Sequence, residues 1–182
     1  MSLIKLIVAR GVGAIDDLPE GIRGSAEAVA ETIENNVRKL IIDESPINPK
    51  YYERMSQLLD ALIDQRQRDA VSYKEYLDAV VQLARDSQTG PVATAYPASL
   101  DTAAKRALYD NLGSDEATAL RVDAAVRQSL QDGWRDNPLK TRRVAGAIRD
   151  ALASSSSYGD AAETPPDRAT RVLALVTSQS DY

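Results

Sequence analysis

Residues 134–149 gather the densest set of side chains able to do chemistry: Trp134, the single tryptophan, with Arg135, Lys140, Arg142, Arg143 and Arg149. Guanidinium groups grip phosphates or carboxylates through paired N–H donors, and an indole face stacks on a base or fills a partner's pocket. Two uses fit these residues. Either the indole closes the packing between two helices with the arginines outside it, or the cluster is a contact surface. As a contact it suits protein better than DNA. Trp and Arg are the usual interface anchors, and 27 Asp and Glu against 22 Lys and Arg give the chain a net charge of -5.

Other polar groups lie nearer the N-terminus. Asn35 and Asn36, followed by Arg38 and Lys39, either sit in solvent and between helices or recognise a partner. Tyr51 and Tyr52 are neighbours and cannot share one helix face, so Tyr52 is assigned to the core and Tyr51 to contact. The candidate contacts to a partner or to DNA are therefore Asn35, Arg38, Tyr51, Trp134, Arg135, Arg142 and Arg143.

For catalysis the residues offer little. With no Cys and no His, thiolate and imidazole chemistry, disulfides and the usual zinc ligands are excluded. Asp16-Asp17 and Asp43-Glu44 pair carboxylates, but neighbours point apart on a helix and a hard cation wants six or more oxygens, so both read as solvated charge. Gly11-Val12-Gly13 reads as a loop or hinge, and no Gly-Lys pair exists to build a phosphate loop. No catalytic residue, cofactor site or metal site is expected in this chain.

Helices must position these groups. At 182 residues and 43% hydrophobic content the chain can form one or two compact domains that bury roughly 70% of the surface exposed on unfolding. Val29, Ile33, Val37, Leu40 and Ile41 step by three or four along one helix face. Pro46 ends that helix by pushing Ser45 toward extended geometry. Asn48-Pro49 starts another, striped by Tyr52, Met55, Leu59, Leu62 and Ile63.

Ser72 and Glu75 have capping-box spacing before a third helix with Tyr76, Leu77, Val80, Leu83 and Ala84 inward. Short connections predict an antiparallel three-helix bundle over residues 1–88. Residues 89–98, with Gly90-Pro91 and Tyr96-Pro97, read as a linker.

Residues 99–182 read as a second helical subdomain. One helix is expected from Thr102 to Leu112, a second led by Ser114, and a third from Asn137-Pro138 with Val144, Ile148 and Leu152 spaced by four. A polar loop over 154–166 precedes a last helix, capped by Asp167 and burying Ala169, Val172, Leu173 and Val176. Leu3 to Val8 fits helix or strand. The fold class is all-α, with no membrane span and no signal peptide, so a cytoplasmic protein is the default. Met1-Ser2-Leu3 reads as an added leader on a polypeptide that continues upstream.

Residues 28–86 bring these helices together with a family likeness. The stretches ENNVRKLIIDESPINPKYYERMSQLLDALID (34–64), YPASLDTAAKRALYDNLG (96–113), DGWRDNPLKTRRVAGAIR (132–149) and LALVTSQSDY (173–182) resemble the C-terminal helical region of the restriction subunit of type I restriction-modification enzymes. The resemblance implies a piece of a subunit whose nuclease and ATP-driven DNA translocase lie upstream, with ATP and Mg2+ serving those parts. It implies docking on the methyltransferase and specificity subunits as the role of this piece, with DNA contact through the basic face near Trp134 as the alternative. An unrelated helical adaptor is a third reading. The family's nuclease triplet, Glu-x-Lys, has no counterpart here, so none of its catalytic residues carries over.

Overall fold

The computed structural model describes residues 3–69, 71–154 and 163–182, apart from the side chain of Asp17. The protein is all-α. Its helices are α1 (Leu3–Arg10), α2 (Glu20–Arg23), α3 (Ala26–Glu44), α4 (Pro49–Gln67), α5 (Tyr73–Thr89), α6 (Ala103–Asn111), α7 (Glu116–Ser129), α8 (Pro138–Ala153) and α9 (Pro165–Thr177). Short 3-10 segments occupy Gly11–Asp17 and Ala93–Ala95, and no strand occurs among the described residues. No helix among them is long and apolar enough to cross a membrane. The chain divides into two compact units, Met1–Ser45 with Tyr51–Pro91, and Pro46–Lys50 with Val92–Tyr182.

In the first unit the leading apolar segment resolves as helix, and Ile4 and Ile7 of α1 join a core built with α3 and α5. Helix α3 contributes Val29, Ile33, Val37 and Ile41, and α5 contributes Tyr76, Leu77, Val80, Leu83 and Ala84, as the periodicity requires. The stripe on α4 has the expected phase but is shallow. Only Tyr52 and Leu59 are buried, while Met55, Leu62 and Ile63 are half covered.

Polar bonds therefore do much of the work of holding α4. Arg66 Nε donates to Glu34 Oε1 at 3.0 Å and its Nη1 to Glu27 Oε2 at 2.8 Å. The Tyr76 hydroxyl donates to the same Glu34 oxygen, and the guanidinium lies 5.4 Å from the Tyr76 ring centroid. Glu34 is only 7% exposed, so this is a buried carboxylate satisfied by two donors.

The ends of these helices show which terminal signals dominate. Helix α3 stops at Glu44, ahead of Pro46, yet Ser45 keeps helical angles (φ -51°, ψ -38°) and is not driven to extended geometry. Its N–H bonds the Ile42 carbonyl at 3.3 Å, a tightened last turn, so the stop comes from the N–H that Pro46 lacks. The capping box forms: Ser72 Oγ accepts from Glu75 N at 3.3 Å while Ser72 N donates to Glu75 Oε2 at 3.0 Å. The Ser72 hydroxyl, donating to Glu75 Oε2 at 2.7 Å, and then the Ser72 N–H hold the Glu75 carboxyl below its ordinary range. Gly90, at φ +73°, closes α5.

In the second unit each helix starts on a side-chain cap: Thr102 for α6, Asp115 for α7, Asn137 with Pro138 behind it for α8. Two starts depart from expectation: α7 opens on Asp115 and not on Ser114, which sits outside the helix at φ +59°, and the start of α9 shifts too. Thr164, not Asp167, caps α9, because Pro165 takes the first helical position at no hydrogen-bond cost and draws the start back, leaving Asp167 to donate its N–H to Thr164 Oγ1 at 3.3 Å. Along α9, Leu175 is buried where Leu173 was expected, and Leu173 is half covered. Of the expected polar loop, residues 155–162 lie outside the described residues.

The peptide Pro46–Lys50 packs with this second unit although it leads into α4. Asn48 is 2% exposed; its Nδ2 donates to Asp110 Oδ2 at 2.7 Å and its Oδ1 accepts from Asn111 Nδ2 at 2.8 Å. Gln179 Nε2 donates to the Ile47 carbonyl at 2.7 Å. Tyr96, inside the expected linker, also belongs here, its hydroxyl bonded to Asp110 Oδ2 at 2.7 Å and its ring edge-on to Tyr109.

Candidate docking surface

Trp134 stands before α8 and is only 4% exposed. Its indole belongs to the second core, and its Nε1 donates to the Tyr182 carbonyl at 3.2 Å. A partner would find almost nothing of it to touch. Arg135 lies 4.8 Å over the indole and donates to the carbonyls of Thr177 (3.1 Å) and Gln179 (2.5 Å). A cation at the C-terminal end of α9 satisfies carbonyls that the helix leaves open, so Arg135 holds the fold together. Lys140 is likewise engaged, donating to the Asp132 carbonyl at 2.6 Å.

The chain end is tied into the same region. The Tyr182 hydroxyl donates to Asp123 Oδ1 at 2.6 Å, and Arg127 both grips Asp123 at 3.1 Å and covers the Tyr182 ring at 5.1 Å. Burial, and then the bond to Asp123, push the Tyr182 hydroxyl pKa well up. An open hollow of 360 Å³ beside Trp134 is lined by Gln131, Asp132, Arg135, Asp136 and Tyr182.

The remaining cations of the cluster behave differently. Helix α8 turns Val144, Ile148, Ala151 and Leu152 inward, and the opposite side carries Leu139, Arg142, Arg143, Arg149 and Asp150 into solvent. Leu139 is 73% exposed, the most of any large hydrophobic residue described. Arg142, Arg143 and Arg149 make no hydrogen bond or ion pair to another described residue. Five cations and one indole that look like one site in the sequence are thus split into a structural half and a half held by no other described residue.

In the first unit the candidates are dispersed. Asn35 is exposed on α3. Arg38 Nη2 bridges to Asp60 Oδ1 at 2.7 Å, with both side chains largely in solvent. Tyr51 is half buried, its hydroxyl bonded to the Asp86 carbonyl at 3.0 Å and its ring edge-on to Tyr52 at 5.1 Å. Tyr52 is core, with its hydroxyl on the Ser87 carbonyl at 3.0 Å; burial, then the charge of Glu44, push its pKa up to about 12. Of the acidic pairs, Asp43 meets Lys39 at 3.4 Å, and no group of three or more ligating side chains able to hold a metal occurs among the described residues.

Charge is divided as sharply as the contacts. The first unit has 15 acidic against 10 basic residues, and the second has 12 of each, so the whole net charge of -5 belongs to the first unit. The general acidity of the chain therefore says nothing about α8. Sequence reasoning passed over Leu139 and Gly146, which share the outward face with the arginines. The signal was present, since both fall off the Val144, Ile148, Leu152 phase.

Comparison with known proteins adds no relative: the chain matches no protein-family model, no curated protein and no solved structure.

Proposed function

We propose that this chain is a non-catalytic docking region, equivalent to the C-terminal helical part of a type I restriction subunit. In the cytoplasm it seats an ATP-dependent DNA translocase and endonuclease on its methyltransferase and specificity subunits. The observation that carries the docking role is the outward face of α8, where an exposed leucine is framed by three unengaged arginines. Arginine beside exposed apolar surface is the composition of interface cores, and such groups gain from desolvation against a complementary partner. That face lies in residues 132–149, one of the four stretches that resemble the family. The quantity that matters is interface free energy, and ATP and Mg2+ act on upstream parts of the parent subunit.

The test is capture of the methyltransferase and specificity core by the purified chain, with Arg142→Glu and Arg143→Glu as probes. Capture at micromolar concentration, weakened by charge reversal, is the expected result. A core that ignores the folded chain would overturn the reading. The same three arginines favour one alternative, contact with DNA passing between motor and core. Phosphate binding displaces counterions, so it would collapse as salt rises, and each arginine removed would flatten that dependence.

A further inference from the structure

We propose that the outward face of α8 is a seat for one acidic amphipathic helix of a partner protein, laid along a seam of Leu139, Gly146 and Ala153. The inference rests on the docking reading and sharpens it from a role to a surface.

Residues seven apart on a helix drift by only about 20°, so these three form one line about 21 Å long. Leu139 supplies apolar area at one end, 73% exposed, and Ala153 at the other is exposed too. Gly146 is the unusual member. A glycine in mid-helix weakens the helix relative to alanine. Here a Cβ at that position would meet nothing within 4 Å, so packing inside the unit gives no reason for its absence. A bare backbone at the centre of an exposed line does have a use: it lets a second helix approach closely, with larger side chains fitting on either side.

The edges of the seam decide the partner's charge. Arg142 and Arg149 flank one side at about 10.5 Å spacing, and Arg143 with Asp150 seven residues on flanks the other, so the net positive edge is the Arg142–Arg149 side. Glutamates seven residues apart on a partner helix repeat at the same interval, which pairs Arg142 and Arg149 with one carboxylate each. Nucleic acid fits less well. Leu139 and the bare backbone of Gly146 gain nothing from phosphates.

The probe is a synthetic 21-residue helical peptide with a Leu/Ala seam at seven-residue spacing and Glu along the flank that faces Arg142 and Arg149. A second peptide carries Lys for Glu, and a nonspecific DNA duplex completes the set. Fluorescence anisotropy at physiological salt is expected to show the acidic peptide binding at least about tenfold tighter than its basic counterpart. Gly146→Leu should weaken it by a similar factor, and the double variant Arg142→Glu with Arg149→Glu should reverse the preference between peptides. Thermal melts confirm that these outward substitutions leave the fold intact.

Equal binding of both peptides, or indifference to Gly146→Leu, overturns the proposal. Duplex binding tighter than that of the acidic peptide, and lost in the Arg142→Glu, Arg149→Glu variant, assigns the face to nucleic acid instead. Capture of the methyltransferase and specificity core is measured in parallel. Equal capture by wild type and Gly146→Leu leaves docking standing and removes this surface, whereas peptide discrimination without core capture keeps the surface and removes the docking reading.

Discussion

Both units hold their helices together partly by satisfying a buried carboxylate with an arginine and a tyrosine hydroxyl, but they differ in the cations left over. The first carries the whole net charge of -5 and draws cations inward: Arg66 joins α4 to Glu34 of α3, with Tyr76 of α5 completing the bond set. The second is neutral and ties buried Asp123 in the same way, with Arg127 and the Tyr182 hydroxyl, but it also leaves three arginines of α8 without a bond to another described residue. A cation that fills a structural bond set has little left for a partner, while one that the fold does not need is free to recognise something else. Average composition hides this, because a neutral unit with a basic helix face and an acidic unit sum to an acidic chain.

The sharpest way to break the comparison is at Trp134. If the second unit depends on apolar packing there, Trp134→Ala costs about 3–5 kcal/mol, a loss of transfer energy plus a cavity. Chemical denaturation gives the magnitude, and hydrogen exchange should localise the lost protection to residues 92–182. A cost under about 1 kcal/mol in a folded variant would return Trp134 to the list of surface anchors.

Charge should matter in the same way to the first unit. Arg66→Ala strands Glu34, 7% exposed, without its cation, and the expected cost is about 3 kcal/mol. Adding Glu34→Gln should recover part of that loss, because a neutral amide is easier to bury. If the double variant is no better than the single one, the guanidinium contributes through its packing stem and not through charge.

Alkaline pH erodes both units more gradually. Tyr52 and Tyr76 in the first and Tyr182 in the second have hydroxyl pKa values raised by burial first, then by the charge of Glu44 for Tyr52, the bond to Glu34 for Tyr76 and the bond to Asp123 for Tyr182. In the unfolded chain these phenols ionise near pH 10, so the folded state holds protons that the unfolded state releases. Their contribution is complete below pH 10; that of Tyr52 is lost as pH climbs through about 12, and those of Tyr76 and Tyr182 persist to higher pH. Tyrosinate absorbance should rise together with loss of helical circular dichroism. Ionisation near pH 10 with the helices intact would mean these hydroxyls reach solvent.

The smallest effects belong to the free face. Arg142→Ala and Arg143→Ala should each change stability by no more than about 0.5 kcal/mol in thermal melts, since neither side chain is held by another described residue. A larger loss would place them among the structural cations and erase the contrast between the units.

Much of this architecture could be read from local pattern. Val29, Ile33 and Val37 on α3, the Ser72 and Glu75 box, and Val144 and Ile148 behind Asn137-Pro138 all behave as spacing and capping chemistry require, because each depends on residues within one or two turns. The candidate site was legible only as a list of residue types. Trp134 and Arg142 are eight residues apart and chemically suited to one surface, yet the turn before α8 sends the first inward and the helix phase sends the second out.

Composition and periodicity by themselves determined the all-α class, the faces of the long helices, their main caps and the exclusion of thiol and imidazole chemistry, since these follow from residue type and from distances along the chain. Only the tertiary structure decided how deeply α4 is buried, that Asn48 and its peptide pack with the second unit, and which arginines are engaged. Those outcomes depend on partners up to 132 residues away, such as the Ile47 carbonyl that Gln179 finds, and no local pattern encodes which distant group will arrive to satisfy a buried donor.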